Sequence, residues 1–139
     1  MHDGHAFIVA DAAETHGMRV FDLTRLRGVT APQAYIADNV YVDIDSAHNL
    51  AIDEASGFAY VVGADGPGGC DHGLHMVDVR TPVNPLFAGC HSAVDTHDTH
   101  CLVYRARIPI TPATSTASCS ATRRMSRAST YRRGPMYST

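Results

Sequence analysis

The chain has 139 residues, about one domain's worth, and an ordinary composition of 45% hydrophobic residues with a formal net charge of −3. No stretch approaches the roughly 18 consecutive apolar residues of a membrane-spanning helix. The charge is unevenly placed. All 14 acidic residues and all nine histidines fall in 1–105, whereas 106–139 hold six of the 11 arginines and no acid.

The N-terminal Met1-His2-Asp3-Gly4-His5 is polar, lacks Lys and Arg, and is not expected to act as a signal peptide. It runs straight into an apolar segment, as an internal piece of a longer gene product would. Short runs rich in Val, Ile, Phe, Tyr and Leu then predict strands at 6–10, 18–23, 50–53, 58–63, 74–79, 86–90 and 101–104. Thr24 to Arg27 suits a single helical turn. Asp53-Glu54-Ala55-Ser56-Gly57 reads as a hairpin turn between two strands. Asp65-Gly66-Pro67-Gly68-Gly69 and Pro82-Val83-Asn84-Pro85 read as further turns. No window carries a helical apolar stripe, so the predicted class is all-β.

Two segments look like copies. Ala6-Phe7-Ile8-Val9-Ala10 leads to His16-Gly17-Met18-Arg19-Val20-Phe21-Asp22-Leu23. Ala59-Tyr60-Val61-Val62-Gly63 leads to His72-Gly73-Leu74-His75-Met76-Val77-Asp78-Val79. A repeat with a loop of drifting length points to an array of small sheets, here roughly two blades of a β-propeller-like repeat over 1–105. Two blades cannot close a ring, and their unpaired edges predict poor solubility of the isolated chain.

The motifs Met18-Arg19-Val20-Phe21-Asp22-Leu23-Thr24-Arg25-Leu26-Arg27, Ser46-Ala47-His48-Asn49, Gly73-Leu74-His75-Met76-Val77-Asp78-Val79, Phe87-Ala88-Gly89-Cys90 and Thr96-His97-Asp98-Thr99-His100-Cys101 together carry a family resemblance. The chain resembles the choice-of-anchor B family, bacterial exported proteins built from LVIVD repeats, over about residues 5–105. The resemblance implies a β-propeller-like ectodomain at the cell surface or outside the cell, and no established enzymatic activity. It stops after Val103-Tyr104-Arg105, where members continue with a Gly-Pro-Asp…Tyr…Gly…Glu stretch ending in Cys. Back-translating Arg105 to Ala117 and reading from the third base of the first codon gives Gly-Pro-Asp-Thr-Asp-Tyr-Pro-Gly-His-Glu-His-Cys. Residues 106–139 are therefore expected to be an out-of-frame, disordered tail. Their Ser, Thr, Ala, Arg and Pro content shows no apolar period. A basic arm for nucleic acid is the weaker reading, because the arginines are scattered without interleaved aromatics.

Three residue groups could carry chemistry. His48, His97 and His100 precede strands, and imidazoles converging on a propeller channel could ligate a transition metal. His97 and His100 could share it only in a turn, since residues three apart on a strand face opposite ways. The plainer reading is that they hydrogen-bond loop backbone. Asp38, Asp43 and Asp45 could offer oxygen ligands to calcium, but their spacing matches no EF-hand loop, and a solvated acidic loop explains them as well. Cys70 and Cys90 are the best disulfide pair of the four cysteines, with Cys119 left as a by-product of the shifted frame. His16 and His72, each before Gly, read as turn residues, and Asp22 and Asp78 as Asx-turns at strand ends.

The leading expectation is a non-enzymatic exported surface module, binding or structural, whose partner is a surface ligand or protein rather than nucleic acid. The competing expectations are a metal-dependent enzyme using His48, His97 and His100, and a gene product without function.

Overall fold

The computed structural model describes residues 1–106 and 114–123. Among these the chain is all-β, with nine strands and two single-turn 3-10 helices. The strands are β1 His5–Ile8, β2 Met18–Asp22, β3 Asn39–Tyr41, β4 Asn49–Asp53, β5 Phe58–Val62, β6 Leu74–Asp78, β7 Leu86–His91, β8 Thr96–Ala106 and β9 Thr114–Arg123. All pairings are antiparallel. They make three sheets, in the orders β1-β2-β3, β4-β5-β6-β7 and β8-β9. Among the described residues the sheets do not close into a ring.

The strands form where β-branched and aromatic residues alternate with polar ones. In β2, Met18 and Val20 are buried and Arg19 is exposed, because successive side chains face opposite ways. β5 differs in being covered on both faces. Ala59 and Val61 join Phe7, Met18, Val20, Tyr41, Val77 and Val79 in a core shared with the first sheet. Tyr60 and Val62 join Leu74, with Phe58, Met76 and Cys101, in a second cluster on the opposite side. The four-stranded sheet is thus a middle layer, with the first sheet on one face and the start of β8–β9 on the other. That placement explains why β5, Phe-Ala-Tyr-Val-Val, is continuously apolar rather than alternating.

Turn chemistry sets where strands end. Asp22 Oδ1 accepts from the Thr24 amide at 2.8 Å, and Asp78 Oδ1 accepts from the Arg80 amide at 3.0 Å. Both are the expected Asx-turns. The first 3-10 helix, Leu23–Leu26, follows Asp22 directly. The long connection to β3 is held by Arg25, which donates to the Ile36 carbonyl at 3.0 Å and to Asp38 Oδ1 at 2.7 Å. The Arg25 guanidinium also lies over the rings of Phe21 and Tyr35.

One expectation needs correction. Residues 114–123, expected to lack regular structure, form β9 along the length of β8, with Ala106 opposite Thr114 and Thr96 opposite Arg123. A Thr-Ser-Thr-Ala-Ser run has no apolar stripe, yet threonine favours strands and the backbone needs only a partner edge. The edge of β8 supplies one. Residues 107–113 and 124–139 lie outside the described residues, and the expectation for them with it. No helix among the described residues is long and apolar enough to cross a membrane.

Candidate functional site

Two concave features flank the loop between β5 and β6. The larger is an open concavity of about 640 Å³, lined by Val42, Asp43, residues 66–71, Phe87, Cys90 and Ser92. Its wall is pinned by a disulfide joining Cys70 to Cys90, with Cα atoms 5.5 Å apart. This tethers the second 3-10 helix, Cys70–His72, to β7. Cys70, Asp71 and His72 all carry positive φ, at 56°, 50° and 60°. Left-handed backbone costs a non-glycine residue roughly 1–2 kcal/mol each, so the covalent tie holds a strained turn in place. Gly73 has an ordinary φ; the reason for glycine there is space, because a Cβ would collide with the His91 carbonyl and sit 2.9 Å from the Cys70 carbonyl. Phe87 and Val42 stand 53% and 70% exposed at this concavity.

Beneath the concavity lies His75, fully buried. Its Nδ1 contacts the Gly68 carbonyl, and its Nε2 lies 2.9 Å from the Tyr41 hydroxyl. A carbonyl can only accept, so Nδ1 carries the proton and Nε2 accepts from Tyr41. Both ring nitrogens are satisfied by a neutral imidazole. Burial accordingly pushes the His75 pKa below its ordinary value, partly opposed by the Gly68 contact and the Asp43 charge. Burial and the nearby Asp43 carboxylate push the Tyr41 hydroxyl up.

The smaller feature is a cleft of about 100 Å³ lined by Asp11, His48, Gly63, Asp65, His72, Asp95, Thr96 and His97. Backbone hydrogen bonds assemble it from distant segments. Ala47 N donates to Ala10 O at 3.0 Å, His48 N to Val62 O at 3.1 Å, and Asp65 N to Ser46 O at 2.9 Å. Gly63, at φ +57°, lets the walls approach; a Cβ there would stand 3.0 Å from the His48 Cβ. His97 enters at an irregularity in the β8–β9 ladder, where the register shifts between Thr96 and Asp98. Such a bulge re-aims a side chain. The His48 and His97 rings lie 4.2 Å apart between centroids. His48 Nδ1 pairs with Asp11 Oδ2 at 2.9 Å and His72 Nδ1 with Asp65 Oδ1 at 3.1 Å. Ser46 Oγ donates to the other Asp65 oxygen at 3.0 Å.

The structure therefore brings His48 and His97 together but places His100 on β8, opposite Ser120 and outside the cleft lining. His72, read from sequence as a turn residue, occupies the cleft instead. His16 does behave as a turn residue, with Nδ1 2.9 Å from the Gly17 carbonyl and Gly17 at φ +67°. Asp38, Asp43 and Asp45 do not converge. Asp38 is engaged by Arg25 and by the Asp22 amide at 2.7 Å, and Asp43 lines the larger concavity. Among the described residues, the one trio of donor atoms within 4.8 Å of one another is Cys70, His75 and Cys90, two of which are joined as the disulfide. Cys101 is also disulfide-bonded, and Cys119 lies directly opposite it in the β8–β9 register, a placement that the reading of Cys119 as a by-product does not foresee. No family model, no curated protein and no solved structure matches the chain.

Proposed function

We propose that this chain is a non-enzymatic binding module of an exported cell-surface protein, built from β-propeller-like repeats as in the choice-of-anchor B family, and that it meets its partner through the concavity beside the Cys70–Cys90 disulfide. The observation that carries the reading is the concavity itself. It is the larger of the two features flanking the β5–β6 loop, and its lining holds exposed Phe87 and Val42 together with Asp43 and Asp71. An aromatic anchor with an acidic margin suits a ligand that offers an apolar group beside a cationic one. Two further observations favour the reading. The disulfide suits an oxidising compartment outside the cytosol. The four-stranded sheet buries residues on both of its faces, as an inner blade of a repeat array would.

The test is site-directed photo-cross-linking on the producing cell. A photoreactive amino acid replaces Phe87 in one variant and Leu26, exposed on the first 3-10 helix, in another. Discrete adducts from position 87 and none from position 26 are expected. No adduct from either, or equal adducts from both, contradicts the proposal.

A further inference from the structure

We propose that the histidine–aspartate cleft binds a divalent transition-metal ion of the zinc class, with His48, His72 and His97 as imidazole ligands and Asp11 and Asp65 as the carboxylates that orient two of them. The inference stands apart from the surface-module reading and does not depend on it.

A carboxylate only accepts, so in a neutral ring paired through Nδ1 that atom carries the proton and Nε2 keeps its lone pair. His48 with Asp11 and His72 with Asp65 are both paired in this way. An imidazole that donates its second nitrogen to a carboxylate is the usual state of a metal-ligating histidine, because the acid fixes the ring and raises its basicity. Two such dyads on one cleft leave two Nε2 lone pairs without the partners that hold the Nδ1 atoms.

The third imidazole completes the donor set. His97 is delivered by the ladder irregularity, and its ring stands beside that of His48. Three imidazoles at one site, with Asp95 adding a further carboxylate to the lining, match the nitrogen–oxygen preference of zinc and its neighbours better than that of calcium or magnesium. The volume of about 100 Å³ admits an ion with a few waters, at roughly 30 Å³ of liquid volume per water.

The cleft is open rather than preset. No three of its donor atoms lie within 4.8 Å of one another, so the ion draws the side chains inward. His48 and His72 are 38% and 58% exposed at the side chain and have room to rotate. Their backbones are fixed, His48 by its amide bond to Val62 and His72 by the disulfide-tethered turn. Exposed histidine–carboxylate pairs contribute only about 0–1 kcal/mol to folding, so stability is a weak reason to gather two of them and a third histidine at one place.

The test uses the full chain, free of any polyhistidine tag and stripped of metal by chelator. Calorimetric titration with zinc chloride is expected to give one ion per chain. His48→Gln and His97→Gln should each weaken binding at least tenfold, and Asp65→Asn about tenfold, in the range seen when a carboxylate behind a ligating histidine is lost. His100→Gln should leave affinity unchanged. Cobalt(II) should show visible bands with the unsubstituted protein that His97→Gln removes. Should a variant misfold, the unsubstituted chain still decides the matter: zinc should protect His48, His72 and His97, but not His100, from diethyl pyrocarbonate. Absence of binding, equal loss on His100→Gln, or protection that spares these three histidines overturns the proposal.

Discussion

The buried His75 should make this protein acid-sensitive by an amount that its surroundings fix. The ring is fully buried and bonded at both nitrogens as a neutral imidazole, and burial holds its pKa below the ordinary 6.5. In the unfolded chain the same group titrates near 6.5. Below that pH the unfolded state binds the proton and the folded state does not, so stability falls as pH drops through 6.5 and stops falling once the folded ring itself protonates. With an unfolded pKa near 6.5, about 1.4 kcal/mol is the most that this one group can remove between pH 8 and pH 5.5. Urea denaturation at pH 8, 6.5 and 5.5 measures the loss. The double variant Tyr41→Phe/His75→Leu supplies the comparison, since removing both partners together avoids stranding a buried hydroxyl. It gives up the bond to the Gly68 carbonyl, worth about 1 kcal/mol at every pH, but its stability should fall less on acidification, by up to about 1.4 kcal/mol. Equal acid sensitivity of the two proteins would refute the reasoning. The single variant Tyr41→Phe, which strands the His75 Nε2 lone pair, should lose about 1–3 kcal/mol at pH 8.

Other consequences are simpler to state. Replacing Cys70 and Cys90 together by serine opens a loop with a sequence separation of 20 and should cost about 3 kcal/mol, read as a lower urea midpoint than the oxidised protein; an unchanged midpoint counts against a structural tie. Gly63→Ala forces a side chain into left-handed backbone against His48 and should destabilise by about 1–2 kcal/mol, measured by thermal melting, with a neutral outcome contradicting the close approach. Resequencing the locus bears on residues 106–139. The out-of-frame reading expects one missing base near codon 105 relative to neighbouring genes, and an intact frame with relatives sharing this tail overturns it.

Much of the strand pattern was legible because the strands that matter are apolar and short. Val61, Val62 and Val77 announce β5 and β6, and the turn residues at Asp53 to Gly57 mark the border between β4 and β5. β3 escaped because Asn39-Val40-Tyr41 is three residues long and only one of them is buried. β9 escaped because its Ser, Thr and Ala residues carry no amphipathic signal, and its pairing depends on the edge that β8 offers. The cleft was half legible. His48 and His97 stood out as loop histidines before strands, and their rings are neighbours. Asp11, Asp65 and His72 gave no local signal, since they meet only once three segments are laced together by backbone hydrogen bonds. His97 and His100 were expected just before a strand and could share an ion only in a turn; both lie within β8 instead, and His100 falls outside the cleft lining.

The proposed function makes this chain an exported, oxidised β-module acting outside the cytosol. Differential alkylation of intact producing cells, followed by fractionation and peptide mass spectrometry, tests it most directly. Recovery of Cys70 and Cys90 as one disulfide-linked peptide, in the surface or extracellular fraction, is the expected result. Recovery of both as free, alkylated thiols in the cytosolic fraction would contradict the claim.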